Sequence, residues 1–474
     1  MLHSLKFPTA TRRRGGKAQI KHKRGRSVIR RSKVLVAAAA VFAPMAALAT
    51  NGMNMEGFGP EATAMGGASF AYDNGSAGMM NNPATLALMA PGNRLDLALG
   101  ILGPDVKARA GGSEKASSGD AYYMPALGYL RKAGSWTFGA GVFAQGGMGT
   151  EFGNSSFLSA GTGKEQRSEL SVGRLIFPLA LQVNDAFSIG GSIDYVWAGL
   201  DLRMLMDAGT LGAMFQQQSR IGSITASPGF QQQLGQAFSN GLQFGYFDFS
   251  NGNDFTGAAK ATGWAGKLGA TYKISPALTL GATYHSKTSL GDLEADHAKL
   301  TMIFPGGFEQ TLNGKMKIRD FQWPEIYGVG VAFKPMDSLM LAADYKRIGW
   351  KKVMKDFKMV FSSGGETLNA KLFQNWDDQD VFALGGAYSV NPALTLRAGF
   401  NIAKNPIPDA NLNYLFPAIV KTHYTFGAGY KLNEAMSLDG SMVYAPKVSQ
   451  TNPNTGVESS HAQLNWQIQL AYRF

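Results

Sequence analysis

From Leu464 onward the side chains alternate without a break. Trp466, Ile468, Leu470, Tyr472 and Phe474 fall on one face, and Asn465, Gln467, Gln469 and Arg473 on the other. A strand that is apolar on one side and polar on the other needs two surroundings at once, which a soluble sandwich or a transmembrane barrel supplies. The same period of two recurs upstream in pairs of runs, such as Phe187/Ile189/Ile193/Tyr195/Trp197, Tyr327/Val329/Val331/Phe333 and Leu394/Leu396/Ala398/Phe400. Short turns join these pairs at Lys132 to Ser135, Asn184 to Ala186, Ser275 to Ala277, Pro335 to Asp337, Asn391 to Ala393 and Asn433 to Ala435, each carrying Gly, Pro, Asn or Asp where the chain reverses.

Seven longer connections separate the hairpins, at 102 to 121, 146 to 168, 203 to 261, 287 to 313, 350 to 380, 403 to 421 and 445 to 460. Six short turns and seven long connections predict fourteen strands, an even number with short turns at one end and long loops at the other. A sandwich would turn a polar face outward, whereas Trp, Tyr, Phe, Leu and Val dominate one face of most of these strands. After Ala49 there is no apolar run of about 18 residues, so a membrane-spanning helix is excluded. The expected fold is all-β: a 14-stranded antiparallel transmembrane barrel.

The net charge of +12 arises at one end. Twelve cations, from Lys6 to Lys33, precede any acid, and without them the 45 Lys and Arg and the 33 Asp and Glu balance. An apolar run from Val34 to Ala43, then Pro44 and Ala47-Leu48-Ala49, completes the order of a secretory signal peptide over residues 1–49, with a long basic leader. The charge therefore argues for export and not for a nucleic-acid partner. Absence of cysteine suits an exported strand-rich chain without disulfides.

The first convincing strand begins near Arg94. Residues 50–92 before it are glycine-punctuated and not strand-like, and they end their glycine-rich part in Asn82-Pro83-Ala84. A compact segment ahead of a wide barrel is expected to plug its lumen, with the barrel itself over 93–474. That segment, followed by Gly149-Thr150-Glu151-Phe152, Trp323-Pro324-Glu325-Ile326-Tyr327 and Asn405-Pro406-Ile407-Pro408 in this order, resembles the FadL family of outer-membrane long-chain fatty acid and hydrophobic-compound transporters. The resemblance covers nearly all of the chain after the signal. The terminal Phe474 also resembles the signal read by the barrel-assembly machinery, which makes that machinery an expected partner, together with outer-membrane lipid and lipopolysaccharide of a Gram-negative cell.

The resemblance implies capture of ligand at an apolar groove on the third and fourth outer loops, transfer to a pocket in the lumen, and release by a shift of the hatch and a kink in the third strand that opens the wall. In the loop 203–261, Phe230, Leu234 and Phe238 repeat every four residues as one stripe of a helix, and Phe304 belongs to an apolar cluster in the loop 287–313. Such stripes also form by simple packing. Gly139 and Gly141, with Gly146 and Gly147 beyond them, can accommodate the kink, and Asn82, Pro83 and Ala84 belong to the moving hatch.

A fatty-acid carboxylate would need a cation. Arg397 is inward by alternation, Lys346 and Lys355 lie near the outer end of the ninth strand, and Arg203 occupies a family arginine position although its phase matches lipid-facing Trp197. A lumenal or solvated ion pair, with Asp344 or Asp439, is the competing role for these cations. The histidines after the signal, His285, His297, His423 and His461, form no acyl-transfer or metal motif, so neither enzymatic chemistry, a metal nor an organic cofactor is expected. The expected ligand is a long-chain fatty acid, with aromatic hydrocarbons or alkanes as the alternative and a passive porin or adhesin as a further one; the barrel is expected to act as a monomer.

Overall fold

The computed structural model describes residues 51–253 and 256–474. The signal peptide expected over 1–49 lies outside the described residues. No helix among them is long and apolar enough to cross a membrane.

The wall is a closed circuit of antiparallel pairs. It runs from Gly92–Leu102 through Tyr122–Ala133, Trp136–Gly153, Gln166–Gln182, Phe187–Asp207, Ala259–Ser275 and Leu278–His285. It continues through Ile326–Met336, Leu339–Ile348, Gln379–Ser389, Leu394–Ala403, Thr422–Lys431, Met436–Thr451 and Glu458–Arg473, which pairs back onto Gly92–Leu102. Closure pairs the wall strands on both sides over most of their length, the condition for strands to cross lipid. The outward phase is apolar as the alternation requires: Leu97, Ile193, Leu268, Trp466 and Ile468 all remain exposed.

The expected total of fourteen strands is corrected: the sheet holds 23 among the described residues. Counting short turns misses the strands that lie inside the long connections. Phe244–Phe249 pairs with the outer half of Phe187–Asp207 and with Leu293–Ile303. From there the sheet extends through Glu309–Arg319, Asp356–Ser363, Glu366–Phe373 and Gly222–Ala226. Pro104–Ala110 and Ser113–Ala116 form another hairpin. Two of these hairpins turn on glycine pairs with positive φ, Gly111-Gly112 at 55° and 82° and Gly364-Gly365 at 57° and 84°. Such two-residue turns match the twist of a hairpin.

The segment preceding the wall is fastened to the wall's inner face. Gly66 N–H donates to Thr425 Oγ1 at 2.9 Å, Asn401 Nδ2 donates to the Gly66 carbonyl at 3.0 Å, and the Ser69 N–H reaches Asp344 Oδ2 at 2.6 Å. Asn82 caps the short 3-10 helix Pro83–Leu88 by accepting from Ala84 N–H at 3.1 Å, and donates to the Phe70 carbonyl at 2.7 Å. Wall glycines make the close approach possible. A Cβ at Gly190 would sit 2.6 Å from the Pro83 carbonyl, and one at Gly281 would sit 1.8 Å from the Phe70 oxygen.

Candidate functional site

The ladder between Tyr122–Ala133 and Trp136–Gly153 stops at the pair Ala126 and Phe143. Beyond it Tyr122 to Pro125 stay paired with Gly92–Leu102, while the chain from Ala144 outward stays paired with Gln166–Gln182. Farther out, the chain just before Tyr122 closes on the second strand where Ser118 N–H donates to the Glu151 carbonyl at 2.7 Å. The wall therefore has a window, closed at both ends.

A β-bulge shapes one side of the window. Ala144 pairs with Gly173 and Gly146 with Val172, which leaves Gln145 as the extra residue. Gly146 has φ 151°, and a Cβ there would meet the Met53 carbonyl at 2.5 Å, because Asn54 forms an isolated bridge with Gly146. The Gln145 side chain turns inward and accepts from Arg174 Nε; Arg174 Nη1 lies 2.8 Å from Asp194 Oδ2, and Asp194 in turn pairs with Lys267. This strip of buried charge crosses four neighbouring strands. Gly139 and Gly141, expected at the kink, lie in regular ladder opposite Leu130 and Gly128. A bulge is set by an extra residue in the register, which glycine content does not reveal.

Behind the window lies a cavity of about 270 Å³. Its lining includes Met53, Met148, Leu170 and Val172, and it reaches Tyr123, Val142 and Trp197, whose side chains face outward from the wall. The polar lining includes Asn54, Glu56, Glu169, Ser171, His461, Gln463 and Asn465, and no Lys or Arg is among the described lining residues. Glu169 is paired with Arg167 at 2.7 Å. A smaller cavity of about 20 Å³ shares Met53, Met148 and Leu170 with the large one and continues outward past Met204, Phe321 and Trp376.

None of the expected cations reaches this cavity. Arg397 is inward, but it holds Asp439 at 2.8 Å and Glu61 of the fastened segment at 3.4 Å. Lys346 donates to the Glu56 carbonyl at 2.7 Å and lies 6.0 Å from the Phe70 ring centroid. Lys355 is exposed, its carbonyl accepting from Gln374 and Asn375 at 3.0 Å. Arg203 keeps the phase of Trp197, since the register is unbroken, and pairs with Glu165 and with Asp248 of the outer layer.

The loop stripe is spent largely on packing. Phe230 and Leu234, on the helix Pro228–Ser239, are buried and Phe238 is half-buried against the outer layer, where the remaining space is about 20 Å³. Phe304 is buried 5.9 Å from the exposed Phe308 ring. Asn82, Pro83 and Ala84 lie against the wall away from the window. Sequence reasoning missed Met53, Glu56 and His461 as lining residues. His461 had a usable signal, since it shares the inward phase of Asn465 and Gln467 on the final strand.

Ser227 Oγ and Gly229 N–H both donate to Glu366, tying the first turn of this helix to the outer layer. The Ser227 hydrogen bond is the main reason the Glu366 carboxyl is held below its ordinary value of 4.5. With a lowered folded value, the tie is fully present above the ordinary carboxylate range and lost as pH falls through the lowered value. Proteolysis of the 228–239 region is expected to be constant from about pH 7 to about pH 5 and to accelerate below about pH 4. Glu366→Gln should remove that step; an unchanged pH profile in the variant would refute the tie.

A closed barrel whose inner cavity reaches its lipid-facing surface defines a conduit for compounds that prefer lipid to water. Residues 36–470 match the family described as "Outer membrane protein transport protein (OMPP1/FadL/TodX)", and the chain belongs to that family of outer-membrane transporters of hydrophobic compounds. The toluene transporter TodX of Pseudomonas putida is 33% identical, with a TM-score of 0.79 over 88% of this chain and 99% of that one. The toluene transporter TbuX of Ralstonia pickettii is also 33% identical, with a TM-score of 0.73 and the same coverage. A FadL homologue of Pseudomonas aeruginosa, 16% identical with a TM-score of 0.67, shares the fold. Outer membrane protein P1 of Haemophilus influenzae is 26% identical over 188 residues, 40% of this chain and 38% of that protein. A Chlorobium limicola protein is 45% identical over 86 residues, 18% of this chain and 41% of its own. The chain thus spans about two fifths of the length of these curated relatives.

Proposed function

We propose that the protein takes small uncharged hydrophobic compounds, of the size of a single aromatic ring, from outside the cell into the outer membrane. The supporting observation is the cavity: apolar for most of its lining, free of cations among its described residues, and continuous with lipid-facing Tyr123, Val142 and Trp197. An apolar cavity of about 150 Å³ suffices for benzene, so 270 Å³ accepts a substituted ring. Ligand enters past Met204 and Trp376, passes Met53 and Met148, and leaves sideways through the window, with the 51–91 segment acting as a hatch whose Met53-Asn54 end shifts off the bulge. The names of TodX and TbuX as toluene transporters support the same substrate class.

A long-chain fatty acid is the second reading. Its carboxylate would meet Glu56 and Glu169 in this cavity, while the cations expected to hold it are committed or distant. Like charges in such a setting repel. Binding of toluene and of laurate to detergent-purified protein, measured side by side, tests this. Toluene is expected to bind, and laurate to bind more weakly and without dependence on Arg397 or Lys355. Tighter laurate binding that falls in the Arg397→Ala, Lys355→Ala double variant would overturn the proposal in favour of fatty-acid uptake.

A further inference from the structure

The cavity is not uniformly apolar. His461, Gln463 and Asn465, inward neighbours on the Glu458–Arg473 strand, make a polar stripe along it. His461 is only 7% exposed. Its Nδ1 lies 2.9 Å from the Pro417 carbonyl oxygen, and a carbonyl can only accept, so Nδ1 carries the hydrogen. In the neutral ring Nε2 is then a lone-pair acceptor, and no described residue donates to it. Glu56 is 2% exposed, and its Oε1 likewise has no partner among the described residues. Two acceptors on residues that line one cavity therefore lack a donor among the described residues, and both are covered by neighbouring side chains, so a ligand reaches them by displacing that cover.

Buried polar atoms are nearly always paired, because an unpaired one loses water without compensation. A ligand O–H would supply the missing donor; a methyl group of the same size would not. We propose that the cavity selects small hydrophobic compounds bearing a hydroxyl, such as phenols or benzylic alcohols, over the corresponding bare hydrocarbons, with His461 Nε2 as the principal acceptor. A site built to accept from a hydroxyl discriminates against the analogue that lacks it more strongly than an apolar wall discriminates by size. The inference rests on the reading that this cavity holds an uncharged hydrophobe.

The test uses p-cresol and p-xylene, which differ by a hydroxyl in place of a methyl, with the intact detergent-purified protein. p-Cresol is expected to bind about tenfold more tightly. His461→Phe should bring the two affinities together by weakening p-cresol alone, and His461→Gln, which keeps an acceptor oxygen, should retain part of the preference. Equal affinities in the unaltered protein would overturn the hydroxyl preference while leaving the cavity reading intact. Failure of both ligands to bind would overturn the cavity reading and this inference together. Because the unaltered protein alone decides between these outcomes, the test survives a variant that does not fold.

Discussion

Asp194→Leu is expected to destabilise the barrel by about 3–5 kcal/mol. Asp194 is fully buried and is the shared acceptor for Arg174, Lys267 and the Ser192 hydroxyl at 2.6 Å. Its removal leaves two cations inside the wall with no counter-charge, and the cost is that of stranded charge more than of lost attraction. The temperature at which folded protein converts to the unfolded form in detergent should fall markedly. A triple variant, Arg174→Met with Asp194→Leu and Lys267→Met, should recover most of the loss, because apolar side chains of similar volume replace buried ion pairs at little cost. If the single variant melts like the unaltered protein, the strip does not hold the wall together. Exposed pairs stand in contrast: Arg347 with Asp380 at 2.9 Å lies in water, where screening and side-chain entropy leave little net gain.

The second large effect is expected at Gly66. Its φ is 72°, a backbone conformation that side chains with a Cβ rarely adopt, and a Cβ there would lie 2.4 Å from the Phe400 carbonyl oxygen. Both its peptide groups are engaged by wall side chains, Thr425 and Asn401. Gly66→Val cannot keep those bonds and the left-handed turn together, so the segment must leave its seat while the wall, which does not depend on it for pairing, stays closed. Ion conductance across a planar bilayer should rise about tenfold or more as the lumen is uncovered. Folded protein whose conductance is unchanged would show that this segment does not obstruct the lumen.

Much of the wall was legible because a membrane enforces strict alternation on one face, and the final strand from Leu464 carries the pattern almost undisturbed. Above the membrane that constraint lapses. Phe244–Phe249 and the end of Leu293–Ile303 from Leu300 onward are buried in successive residues without alternation, so they read as apolar clusters and not as strands. The Gly111-Gly112 and Gly364-Gly365 turns were the available signal for two of the extra hairpins. Alternation also placed Arg397 inward, but it says nothing about partners, and those partners, Glu61 and Asp439, lie far away in sequence. The window was illegible for another reason. It depends on where one ladder stops and on the single unpaired Gln145, a matter of register between strands.

The closing pair of the circuit joins the first and last strands of the wall. Arg94 lies opposite Arg473, and Asn93 N–H donates to the Phe474 carbonyl at 2.8 Å. Bringing together positions that far apart costs about 5 kcal/mol in loop entropy, beyond a constant term, before any contact repays it. Until then Gly92–Leu102 presents an unpaired edge with Leu95, Leu97 and Leu99 on one face, a template for wrong chains as much as for the right one. Long-range β pairing of this kind is slow, and a slow chain with an open apolar edge aggregates in water. The same seam that closes the finished barrel leaves an apolar edge open in the unfinished one.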